Sequence, residues 1–185
     1  MPVVDPLARP RPLRIDRHLP DAGYVNAHTL DIDLPPDEVW AALPRVIDEG
    51  EMGVVLTTLF RASDLMRGDL RFRRPPPRRP IELREGEDVG SFMGPYDPGV
   101  FVIADVDEGR EVVVHAEHRY AEGVFGVALE PLDDHRSRAW SVTRAAFTGT
   151  VPSRIYRLAV TALRGPIVDA ALRKLKTGAE AQPRP

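Results

Sequence analysis

The stretch from Thr150 to Gly178, TVPSRIYRLAVTALRGPIVDAALRKLKTG, constrains the fold more than any other part of the chain. Thr150 can cap a helix, Pro152 stands where a first-turn proline is tolerated, and Gly178 follows the last periodic residue as a stop. Ile155, Leu158, Ala159, Ala162 and Leu163 recur at three- and four-residue steps, and Ile167, Val168, Ala171, Leu172 and Leu175 resume the pattern after Gly165-Pro166. Arg154, Arg157, Arg164, Arg173, Lys174 and Lys176 leave that stripe for water. The spacing predicts a helix of roughly 40 Å, kinked at Pro166. So long an amphipathic rod needs a sheet to lie on, and the preceding hundred residues read as one.

The 185 residues, 43% of them hydrophobic, suit one domain that needs no disulfide or metal to fold. There is no cysteine, which excludes disulfides, thiolate metal sites and a cysteine nucleophile. A net charge of −3 exerts no global pull on nucleic acid or membrane. The N-terminal stretch has no apolar signal-peptide core, and no apolar run is long enough to span a bilayer, so a soluble cytoplasmic protein is expected. Residues 1–20 carry five prolines and read as an extended or solvated arm, residues 21–180 as the domain, and residues 181–185 as a tail.

Tyr24 to Leu34 alternates as a half-buried strand, with Ala27, Thr29, Asp31 and Asp33 on one face and His28, Leu30, Ile32 and Leu34 on the other. Pro35-Pro36-Asp37-Glu38 ends it and opens a helix with Val39, Trp40, Leu43, Val46 and Ile47 on its apolar face. Gly53 to Met66 is read as a helix, and Arg67 to Pro80, with six arginines, one acid and three consecutive prolines, as a loop. From Val89 short strands follow one another: VGSFMG, Val100–Val106, Glu111–Tyr120, Gly123–Leu132 and Arg136–Phe147. Asp107-Glu108-Gly109 and Asp133-Asp134 make turns between them. Strands joined this tightly imply an antiparallel meander, hence an α+β fold.

The element order resembles the helix-grip fold of the START-like superfamily, which includes polyketide cyclase/dehydrase-type and Bet v 1-like proteins. HTLDIDLPPDEVWAAL (His28 to Leu43) is similar to the superfamily's opening strand and proline-acid-Val-Trp helix start. RIYRLAVTALRGPIVDAALRKLK is similar to its closing helix. The resemblance spans roughly Tyr24 to Gly178 and brings no catalytic signature, and the Arg- and Pro-rich loop departs from it. It implies a curved antiparallel sheet wrapped against the long helix, with an apolar cavity between them that takes a small lipophilic molecule. Small residues on both elements (Ala159, Ala162 and Gly165; Gly126, Ala128 and Ala145) leave either such a space or unusually close packing.

Around that cavity the candidate ligand contacts are Trp40, His118, Glu130, Trp140, Arg144, Leu158 and Ala162. Alternation separates Val113, His115, Glu117 and Arg119 from Val112, Val114, Ala116 and His118. The apolar companions of His118 favour it as the inward histidine, and His118 or His115 would act as acid or base in a cyclase- or dehydratase-like step. A hydrogen-bonded core histidine and a charged outer surface are the plainer readings of the same residues. Glu130 with an inward arginine would hold a carboxylate, or else make a surface ion pair; Trp40 and Trp140 also suit simple packing. No histidine set has metal-ligand spacing, since His115 and His118 point to opposite faces, and no phosphate loop or nucleophile elbow occurs. No metal or cofactor is expected. Arg71, Arg73, Arg74, Arg78 and Arg79 admit an interaction module for nucleic acid or an acidic partner, against a solvated loop neutralised by the acidic stretch after it.

Overall fold

The alternation at Tyr24 becomes strand β1 (Tyr24–Ile32), and the proline pair turns the chain into helix α1 (Pro36–Asp48). The computed structural model describes residues 12–48, 81–87, 89, 101–118 and 121–181. The helix expected over Gly53 to Met66, the Arg67 to Pro80 loop with its six arginines, and the VGSFMG strand after Val89 lie outside them. Strands β2 (Phe101–Asp107), β3 (Glu111–His118), β4 (Ala121–Asp133) and β5 (Arg136–Phe147) follow as a meander, and helix α2 (Val151–Glu180) closes the chain. Every pairing is antiparallel and the strand order is β1-β5-β4-β3-β2. The first strand therefore pairs with the last, β1 and β2 end the order of the described strands, and residues 86–89 hydrogen-bond along the far side of β2. This is the expected α+β helix-grip architecture.

The turn after β2 forms as the sequence predicts. Arg110 N donates to Asp107 O at 2.8 Å, and Gly109 supplies the positive φ of 73° that a side chain would resist. Within β2 the pairing slips between Ile103 and Asp105. That bulge lets Ile103 and Val106 both face the helices while Ala104 and Asp105 face away.

Helix α2 lies over β1 and β5, and α1 lies over β4 and β5 and against α2. Between them sits the inner core of Ile32, Leu34, Val39, Leu43, Leu129, Ala139, Val168, Leu172, Leu175 and Ala179. Burying aliphatic side chains of this size contributes about 1.5–3 kcal/mol each. Gly178 does not stop the helix, which runs on to Glu180. Instead it lets α1 approach, because a Cβ there would stand 3.0 Å from Val46 Cγ2. Arg45 donates to Gly178 O at 3.2 Å across the same contact. Thr150 is the N-cap as expected, its hydroxyl accepting from Ser153 N at 3.4 Å.

Two expectations change. Among the described residues the apolar stripe of α2 is buried in its C-terminal half, whereas Ile155 and Leu158 are 65% and 72% exposed and Ala162 is exposed too. Residues 12–20 are not a solvated arm. Leu13 and Ile15 cover the outer face of the sheet and form a second core with Ala27, Val113, Val124, Ala128, Trp140 and Val142. A 3-10 turn, Arg14–Arg17, places Ile15 there, and Gly126 makes room, since a Cβ on it would come within 3.0 Å of Ile15 Cδ1. Proline in this stretch breaks helices without forcing the chain into water, and burial of Leu13 and Ile15 acts together with hydrogen bonds to Glu111 and Arg144 to offset the ordering of the backbone.

Candidate functional site

A cleft of about 410 Å³ opens between α1, the segment at residues 81–83 and the end of β2. Its walls are Trp40, Ala41, Pro44, Ile81, Leu83 and Val106, with Glu82 and Glu108 as the acidic groups. The 3.6-residue period brings Trp40, Ala41 and Pro44 to one side of α1, and the bulge in β2 turns Val106 toward them. Trp40 is half-buried and packs against both the inner core and a third cluster, built on Ile81, Val89, Phe101, Ile103, Val112 and Ala116. Arg84 pairs with Glu82 at 3.3 Å on the exposed side.

A different polar group lies under α2. His28 is 2% exposed on the inner face of β1, and its Nδ1 stands 3.0 Å from Asp169 Oδ1. Asn26, on the same face, donates to Tyr24 Oη at 3.1 Å. In register across β5, Asn26 faces Thr143 and His28 faces Ser141. At the open end Phe147 stacks edgewise on Tyr24, and the Arg157 guanidinium lies 5.7 Å above the Phe147 ring.

Of the residues singled out in the sequence, Trp40 lines the cleft. Trp140, Glu130 and Arg144 lie on the outer face, turned away from α2. Trp140 Nε1 donates to Glu130 Oε2 at 3.0 Å, so that carboxylate serves the indole and not an arginine. Arg144 holds the N-terminal segment, donating to Leu19 O at 3.1 Å, Pro20 O at 2.9 Å and Asp16 Oδ1 at 3.2 Å. His115 also faces outward, 3.0 Å from Glu122 Oε1. His118 ends β3 opposite Ala121, and its side chain lies outside the described residues. Leu158 and Ala162 are exposed on α2. The expected gathering of these residues around one hollow does not occur, because alternation sorts them onto two faces of the sheet. The described cleft is walled by α1 rather than by α2. No group of three metal-ligating side chains exists among the described residues.

The His28–Asp169 pair went unnoticed in the sequence, where 141 residues separate its members. A signal was present: His28 alternates with Leu30 and Ile32, so it stands in an otherwise apolar inward set.

No protein-family model and no curated protein matches the sequence. Solved structures do. A conserved protein from Geobacillus kaustophilus superposes with a TM-score of 0.51 at 12% identity, over 85% of this chain and 95% of that one. CalU16 from Micromonospora echinospora matches at 0.47 and 16% identity, over 87% of this chain and 77% of its own. The Zhui aromatase/cyclase from a Streptomyces species matches at 0.48 and 15% identity, over 85% and 93%. Likeness at such identity speaks of fold. No described helix is long and apolar enough to cross a membrane.

Proposed function

For a chain with the helix-grip fold of the START-like superfamily, we propose binding of a small lipophilic molecule in the cleft beside Trp40. The observation that carries this reading is the cleft itself. Its volume of about 410 Å³ falls in the range of small-ligand sites, and six of its eight lining residues are apolar. The Trp40 indole offers a flat face to a ring or chain, and Pro44 and Ala41 leave the wall shallow enough to admit one. Glu82 and Glu108 disfavour an anionic head group and suit a neutral or cationic one. Arg144, the arginine expected near the ligand, and its β5 neighbour Arg138 are engaged on the outer face by the N-terminal segment and by Asp31.

The test is a titration with N-phenyl-1-naphthylamine, a neutral fluorophore that brightens when it leaves water. Saturable binding is expected, weakened about tenfold or more in Trp40→Ala, since losing a stacked aromatic contact costs about 1.4 kcal/mol or more. Absence of saturable binding, or equal affinity in a folded Trp40→Ala protein, overturns the reading.

A further inference from the structure

Helix α2 changes its apolar face along its length. In the C-terminal half the inward row, stepping three or four residues at a time, is Val168, Leu172, Leu175 and Ala179, all buried. Followed back toward the N-terminus, that row becomes Thr161, Arg157 and Arg154, all exposed. The apolar residues of the N-terminal half stand instead on the neighbouring row, Val151, Ile155, Leu158 and Ala162. Val151, at 69%, is as exposed as Ile155 and Leu158. A single helix cannot turn two rows about 100° apart toward one sheet, so seating the C-terminal half leaves this stripe outside. Tyr156, on the other side of the helix, is the residue of that half that packs against the third cluster.

We propose that the stripe docks on an anionic lipid surface, with α2 lying in the interface and not crossing it. Three large aliphatic side chains along about 17 Å of helix make too small a patch for a stable protein interface, which needs about 800 Å² from each partner. A bilayer asks less, because single side chains enter the headgroup boundary and basic neighbours add attraction to anionic lipid. Arg154 stands one turn from both Val151 and Leu158, and Arg157 adjoins Leu158, so their guanidinium groups border the stripe. From Thr148 to Val168 the sequence has arginine at Arg154, Arg157 and Arg164 and no acid. The attraction is therefore local, although the whole chain carries −3. The same arginines oppose a second copy of the chain as occupant, since pairing two stripes would bring like charges together. The proposal does not rest on the Trp40 cleft, which α1 walls, so each reading can fail without the other.

The test is flotation of the full chain with vesicles of phosphatidylcholine alone, and of phosphatidylcholine with about one-third phosphatidylglycerol. Binding to the anionic vesicles only is expected, falling as salt rises. Ile155→Ser combined with Leu158→Ser should weaken it at least about tenfold, since two aliphatic side chains then no longer leave water. Both positions are exposed, so the thermal midpoint should not move. Arg154→Gln combined with Arg157→Gln should weaken binding about tenfold or more and flatten its salt dependence. The chain has no cysteine, so Leu158→Cys carries a single nitrobenzoxadiazole label, which should brighten on the anionic vesicles. No flotation with anionic vesicles, equal binding to both kinds, or a label that stays dim on bound vesicles overturns the proposal. So does binding that is unchanged in the Ile155→Ser, Leu158→Ser protein, which would assign it to another basic part of the chain.

Discussion

Glu111 shows how one buried carboxylate can organise a segment remote in sequence. Its two oxygens accept from Arg14 N at 2.8 Å and Ile15 N at 2.9 Å, and the side chain is only 3% exposed. These amides open the 3-10 turn and have no partner within it, so the carboxylate does the work of a cap from another element. Removing it strands two buried donors beneath Ile15. Glu111→Ala should destabilise the fold by about 2–6 kcal/mol, twice the cost of a single orphaned group. Urea denaturation would read this as a lower midpoint at constant slope. An unchanged midpoint would mean the N-terminal segment contributes nothing to global stability. In the sequence this glutamate reads only as the first residue of a strand, because its partners are backbone amides ninety-six and ninety-seven positions away.

Among elements, the N-terminal segment is the one whose attachment depends on ionised groups. Asp105, placed on the outer face by the bulge in β2, meets Arg14 Nη1 at 2.7 Å and His18 Nε2 at 3.4 Å. Burial opposes its ionisation. The hydrogen bonds from Arg14 and His18 and their charges outweigh that burial, and hold the carboxyl below its ordinary 3.8. A carboxyl depressed in the folded state stabilises fully above its unfolded value, and that contribution fades as pH falls through the lower folded one. Amide signals of Arg14–Arg17 should therefore shift or broaden below about pH 4, and Asp105→Asn should abolish that step. A step that persists in the variant would assign it to another group. The strands were legible because period-two patterning survives any packing: Arg136–Phe147 was bounded correctly, and β1, β2, β3 and β4 within a few residues. Which face meets the helices was harder to read. Val112, Val113 and Val114 are all apolar since the sheet is covered on both sides, so alternation loses its contrast there. Trp140, Arg144 and Glu130 were read toward the cavity for that reason. Helix α2 was legible by its cap and period, but its N-terminal half has apolar residues that the described structure leaves exposed.

Across the whole molecule, the sheet is a partition between two apolar layers with no side chain in common. Helices α1 and α2 seal the inner layer, and residues 13–19 seal the outer one. The chain has two tryptophans, and each reports on a different layer: Trp40 sits against the inner clusters, and Trp140 is buried in the outer one. Backbone hydrogen bonds of one sheet serve both layers, so loss of either should release the other, and unfolding should be a single cooperative event. The single-tryptophan variants Trp40→Phe and Trp140→Phe test this directly, each leaving one indole to follow in urea. Their curves, normalised to each variant's own far-UV transition, should coincide with it. If the Trp140 curve instead runs ahead of its backbone transition, the outer layer melts alone and the N-terminal segment is a separable cover. If the Trp40 curve runs ahead, the helices leave first and the cleft beside α1 opens before the fold is lost. Coincidence in both would mean that a ligand held by Trp40 stabilises the distant outer layer as much as its own, because binding to the folded state is then shared by the entire chain.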